Sequence, residues 1–167
     1  MRILIAVNPN DEGCADSIAA ATALAWPNDA AFLVLSVAEN VHPPVIEIVS
    51  GGLDIADIQQ ETNALAKATA GEGAVQLRKY GFNAEGVSIE GDPKSAIPDY
   101  ADEWKADLIM VGSCERSRIE NFFVGSVSQR VVIDSPCSVL VVKPSGRIKE
   151  EVRSAESQKF MFHTAFS

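Results

Sequence analysis

Sulfur and imidazole chemistry have little to work with in this chain. Its three cysteines, Cys14, Cys114 and Cys137, are unevenly spaced with no Cys-x-x-Cys pair, and His42 and His163 are its only histidines. A disulfide framework or a zinc site needs paired, closely spaced ligands, so these thiols read as buried or incidental ones in a reducing compartment, and no metal is expected. Long apolar runs are missing as well. The opening Met1-Arg2-Ile3-Leu4-Ile5-Ala6-Val7 breaks at Asn8-Pro9, too early for a signal segment, and no later stretch approaches bilayer-spanning length. Positive charge is also scarce. With 14 Lys and Arg against 23 Asp and Glu the net charge is −9, so a nonspecific grip on nucleic acid or an anionic membrane would work against the overall field. A cytoplasmic protein with neither partner is expected. No Ser-His-Asp set or paired acid and base stands at recognisable spacing, so no enzyme activity is assigned.

What the chain does have is ordinary globular material. At 167 residues, 47% hydrophobic and 22% charged, it suits one packed domain. Ile3 to Val7 and Ala31 to Val37 are continuous, partly β-branched apolar runs, the pattern of strands buried on both faces of a parallel sheet, and the first should be central. Between them, Ala15, Ile18, Ala21, Thr22 and Ala25 recur at helical spacing until Pro27-Asn28. A long connection with Pro43-Pro44 and Gly51-Gly52 follows. Ile55, Ile58, Thr62, Leu65 and Thr69 then mark an amphipathic helix ending before Gly81, with a bend expected at Gly71 and Gly73. Asn83 to Glu90 alternates, as an edge strand would. Gly91-Asp92-Pro93 turns into a helix in which Pro98 predicts a later start or a kink. Asp107 to Gly112 and Ser138 to Val142 read as the last two strands, separated by a helix from about Gly125 to Ile133. Such alternation predicts right-handed crossovers and a ligand site at the carboxyl ends of the strands. Trp26 and Trp104, at helix ends, should pack, and His42 should be a solvated loop residue.

One loop at such an end carries the strongest pattern. A strand closing at Val111-Gly112, a polar stretch Ser113-Cys114-Glu115-Arg116-Ser117-Arg118, and a helix opening at Gly125-Ser126-Val127-Ser128 suit an anion. Glycine lets a phosphate approach the backbone, while the N–H groups and dipole of a helix N-terminus attract negative charge. Ser126 is placed either to cap that helix or to donate its hydroxyl to a phosphate oxygen.

These residues resemble the universal stress protein family, whose nucleotide-binding members carry Gly-x2-Gly-x9-Gly-Ser. Here Gly112-Ser113-Cys114-Glu115 is followed by nine residues and then Gly125-Ser126. The opening strand, Gly91-Asp92-Pro93, Ala106-Asp107-Leu108-Ile109-Met110-Val111-Gly112 and Pro136-Cys137-Ser138-Val139-Leu140-Val141-Val142 fit in register, so the resemblance spans roughly residues 1 to 144. It implies a single doubly wound α/β domain like the adenine nucleotide alpha hydrolases, with a five-stranded parallel sheet ordered 3-2-1-4-5. It also implies homodimerisation through the last strand, Val139, Leu140, Val141 and Val142, and slow ATP hydrolysis at most. The matching ligand positions are Ala6, Asn8, Val37, Gly112, Ser113, Cys114, Glu115, Arg116, Gly125, Ser126 and Val127. For Val37 a plain core role reads equally well. Residues 145–167, charged and then rich in Phe, form a tail that is frayed or docked.

Two positions depart from the family pattern. Glu115 stands where the second Gly belongs, and Asn8 where the first strand usually ends in Asp. A carboxylate beside a triphosphate adds like charge and a Cβ obstructs close backbone approach, although Arg116 and Arg118 offset the charge. The family includes members that bind ATP and members that do not. The readings left open are an ATP or AMP site, with AMP better tolerated, and a dimeric interaction protein whose loop is closed to ATP and whose protein partner is unidentified. Ser50-Gly51-Gly52-Leu53-Asp54 looks like a pyrophosphatase loop but follows the wrong strand, and reads better as a turn with a helix cap at Asp54. Cys114 near Arg116 allows a redox role, though an incidental thiol is the stronger reading.

Overall fold

The computed structural model describes residues 1–9, 14–41, 55–113 and 125–143. The continuous apolar runs become β1 (Arg2–Val7) and β2 (Ala31–Ala38), separated by α1 (Cys14–Ala23). There follow α2 (Ile55–Lys79), β3 (Asn83–Glu90), α3 (Pro93–Trp104), β4 (Leu108–Gly112), α4 (Ser126–Asp134) and β5 (Ser138–Val142). All strand pairs are parallel, and the five-stranded sheet runs β3-β2-β1-β4-β5. The expected doubly wound α/β fold, its strand order, the central β1 and the edge β3 are therefore observed.

Strand alternation builds the two faces. Ile3, Ile5 and Val7 with Phe32 and Val34 meet Ile18 and Ala21 of α1 and Ala74 and Leu77 of α2. Leu4 and Ala6 with Leu33, Leu35 and Val37 meet Ile97 and Ala101 of α3 and Val131 of α4. Trp26 packs edge-on against Phe32 at 5.6 Å and donates its Nε1–H to Ala21 O at 2.7 Å, while the Trp104 ring receives the Arg2 guanidinium at 5.8 Å. Both tryptophans thus pack as expected.

Two local readings need correction. The buried seam of α2 is Ala66, Ala70, Gly73, Ala74 and Leu77, whereas Leu65 and Ile55 of the expected stripe are exposed. Small residues win because the helix lies almost on the sheet. A Cβ at Gly86 would come within 2.5 Å of Ala70 O, and one at Gly73 within 3.0 Å of Val34 Cγ1. The helix also continues unbroken through Gly71 and Gly73. The start of α3 is not delayed by Pro98: Asp92 caps the helix by accepting from Lys94 N–H at 3.1 Å, Pro93 occupies its first turn, and the buried Pro98 is carried inside. Gly91 enables the preceding turn at φ 149°, a conformation that side chains rarely adopt. The end of α2 follows expectation, with Gly81 at φ 88° and Phe82 N–H reaching back to Leu77 O at 3.2 Å. His42, the Ser50 to Asp54 turn, Cys114 and the 145–167 tail lie outside the described residues.

Candidate nucleotide-type site at the carboxyl ends of the strands

Strand order reverses between β1 and β4: successive strands lie on one side of β1 and then, after β4, on the other. Crossovers depart in opposite directions from such a switch point and leave a crevice between them. Around it stand Asn8 and Pro9 after β1, Val37 to Val41 at the end of β2, and Gly112 and Ser113 at the end of β4.

On the β2 side is a cavity of about 260 Å³, lined by Asn8, Pro9, Val37, Glu39, Asn40, Val41 and Thr62. Thr62 comes from α2, where its hydroxyl donates to Ile58 O at 2.9 Å. The lining pairs an apolar floor at Val37 with amides, a hydroxyl and a carboxylate, and among the described residues it holds no cation. That composition suits a neutral group that offers hydrogen-bond donors.

On the β4 side the frame is held by hydrogen bonds. Ser113 N–H donates to Val142 O at 2.7 Å, extending the β4–β5 ladder past Gly112, and Ser128 Oγ donates to Gly112 O at 2.6 Å. The second bond ties the first turn of α4 to the end of β4, with Ser128 and Ser113 both buried. Gly125 is the N-cap, and the first turn closes where Gln129 N–H reaches Gly125 O at 2.9 Å. Helical geometry gives the N–H groups of 126 to 128 no acceptor within α4 and aims them toward the crevice end. Capping by Ser126 is not observed: the cap residue is Gly125, without a side-chain cap bond, and Ser126 is the exposed first helical residue.

Of the sequence-derived positions, Asn8 and Val37 meet in the cavity, and Gly112, Ser113, Gly125 and Ser126 frame the β4 side. Ala6 is buried beneath them and Val127 packs partly into the core face shared by α3 and α4. Val37 is a buried core residue that also lines the cavity. Cys114, Glu115 and Arg116 lie outside the described residues. Pro9, Glu39, Asn40, Val41 and Thr62 were not foreseen. The switch-point rule would have found the first four, since they follow directly on the ends of β1 and β2. Thr62 needed the helix placement. Among the described residues no group of three or more His, Cys, Asp or Glu could hold a metal ion, and no helix is long and apolar enough to cross a membrane.

A parallel α/β sheet with a crevice at its switch point and a glycine-framed helix start defines the class. The universal stress protein family model matches residues 1–143, and the chain belongs to that family. A universal stress protein of Methanocaldococcus jannaschii is 40% identical over 79 residues, covering 43% of this chain and 46% of that protein. The chain thus aligns with about half the length of this curated relative. Among solved structures, a universal stress protein of Lactobacillus plantarum superposes with a TM-score of 0.68 at 24% identity, over 85% of this chain and 97% of that one. A universal stress protein in complex with cyclic AMP gives 0.60 at 23%, over 87% and 98%. An Arabidopsis thaliana family member with AMP bound gives 0.60 at 19%, over 88% and 94%. At these identities the structures share the fold with this chain.

Proposed function

We propose that this chain is a dimeric universal stress protein of the cytoplasm that binds an adenine nucleotide of low charge, AMP in preference to ATP. The observation that carries this reading is the cavity at Asn8 and Val37, separated only by the end of β1 from the Gly112 and Gly125-Ser126 frame. A neutral nucleoside end fits the cavity, whose described lining holds no cation, and a phosphate fits the N-terminus of α4, where the Ser126 hydroxyl is available to donate. Family members of the same fold carry cyclic AMP and AMP, which supports the ligand class. Glu115 lies in the intervening loop by sequence and disfavours the extra charge of a triphosphate.

Dimerisation through β5 is supported by a strand at the sheet edge that is apolar on both faces. Val139 packs toward the α3 and α4 side and Leu140 toward the α1 and α2 side, both half-buried. Bare edges of this kind invite pairing.

Calorimetric titration with AMP, ATP and cyclic AMP, repeated on Glu115→Gly, tests the ligand. AMP should bind the wild type more tightly than ATP, and Glu115→Gly should gain about tenfold, or 1.4 kcal/mol, for ATP. A wild type that binds nothing while Glu115→Gly gains ATP would establish instead a ligand-independent interaction protein. A monomer mass in sedimentation at micromolar concentration would refute the dimer.

A further inference from the structure

Much of the β2 side of the cavity lies beyond the sheet. The ladder between β2 and β3 ends at the pair Ala38 and Glu90, and past it Glu39, Asn40 and Val41 continue the lining that Val37 begins. Their support comes from α2. Val41 N–H donates to Gln59 Oε1 at 2.9 Å, Gln59 Nε2 donates to Asn63 Oδ1 at 3.0 Å, and Asn63 Nδ2 donates to Glu90 Oε1 at 2.6 Å. Gln59 Nε2 also lies 3.5 Å from Glu39 O.

The two ends of this chain of bonds fix its direction. A backbone N–H only donates, and a carboxylate oxygen accepts. Flipping either amide between them would set donor against donor or acceptor against acceptor, so both have one satisfactory orientation. Bonds aligned head to tail polarise one another and strengthen together. Gln59 and Asn63 stand one turn apart on α2, where side chains meet, and Glu90 returns the path to β2 through its pairing with Ala38.

We propose that Gln59, Asn63 and Glu90 are positioning residues: a one-way amide relay that presets the Glu39 to Val41 wall of the cavity for its ligand. None of the three lines the cavity, so an effect on binding must reach it through the residues they hold, the Glu39 to Val41 wall through the bonds above or Thr62 through α2, and exchange at Val41 reports on the first. The inference rests on the nucleotide reading for the identity of the ligand, but not for the existence of the relay.

The test measures amide hydrogen exchange by NMR in the ligand-free protein, and AMP affinity by calorimetry, for the wild type, Gln59→Ala, Gln59→Glu, Asn63→Ala and Glu90→Ala. Gln59→Ala should speed exchange at Val41 roughly tenfold. Asn63→Ala and Glu90→Ala, which leave both atoms of the Val41–Gln59 bond in place, should speed it roughly threefold. Gln59→Glu keeps an acceptor for Val41 but sets its second oxygen against Asn63 Oδ1, so it breaks the relay one bond further on and should speed exchange at Val41 less than Gln59→Ala does. Exchange at Leu35, inside the sheet, should not change, and AMP affinity should fall in the order of the Val41 effects. Wild-type exchange at Val41 in Asn63→Ala and Glu90→Ala would overturn the relay, as would faster exchange with unaltered AMP affinity. If the wild type binds no AMP, the nucleotide reading fails while faster Val41 exchange in Asn63→Ala still supports the relay.

Discussion

The two ends of the sheet are built from different materials. At the amino ends of the strands, aromatic rings and backbone bonds close the structure: Trp26 and Phe82 flank Phe32 at 5.6 and 5.0 Å. Arg2 is held there by both Asp107 Oδ2 at 2.7 Å and Trp104 O at 2.8 Å. At the carboxyl ends, small and polar residues predominate. Gly112, Ser113, Gly125 and Ser128 hold an open frame on the β4 side, and the amide relay braces a cavity on the β2 side rather than filling it. Burial of large rings stabilises a fold strongly and needs no ligand, whereas a site must keep polar groups and space within reach of one. Stability and the proposed recognition site therefore occupy opposite ends of the same strands.

Substitutions can break this comparison. The largest effect is expected for Phe32→Ala, which empties a buried ring site and should lower unfolding free energy by about 3–5 kcal/mol in urea titrations, with AMP affinity of the folded protein unchanged. A change in affinity would show that the two ends are coupled. Ser128→Ala comes next. It removes the donor to Gly112 O and should cost about 1 kcal/mol of stability. Its AMP affinity should fall severalfold, because the start of α4 is no longer tied to β4. Unaltered affinity would detach the α4 terminus from ligand binding. The smallest effect belongs to Ser36, near the carboxyl end of β2, whose Oγ is buried without a hydrogen-bond partner among the described residues. Ser36→Ala removes an unsatisfied group and should leave stability equal or raise it by up to about 1 kcal/mol, read from the urea midpoint. A loss would mean that this hydroxyl has a role in the fold.

The closed end was the more legible in the sequence, and the reason is physical. Continuous apolar runs such as Ile3 to Val7 announce buried strands wherever they occur, and the family pattern supplied their order. The seam of α2 was read one position off because Leu65 and Ile55 carry more apolar surface than Ala66, Ala70 and Gly73. What decides the buried side there is how closely the helix approaches Gly86 and Val34, a distance that no single segment encodes. At the open end, Gly112 and Gly125-Ser126 were readable from spacing. The cap went to Gly125 rather than Ser126, a one-residue difference of the sort that helix boundaries commonly show. The relay was invisible for a different reason. Gln59 and Asn63 advertise only helical neighbourhood, and their partners Val41 and Glu90 come from two separate strand ends.

The pairing of β1 with β4 has a consequence for how the molecule assembles. Arg2 and Asp107, joined across the amino ends of those strands, are 105 positions apart in the chain. β1 can first dock with β2 at shorter separation, but closing against β4 requires a far larger loop, whose entropy cost precedes any contact that rewards it. The crevice between β1 and β4 is consequently expected to form late in folding, which low φ-values for substitutions in β4 would check. A half-folded chain carrying only β1, β2 and β3 has a sheet but no place for a phosphate, so a nucleotide would act on the finished molecule and slow its unfolding without guiding its formation.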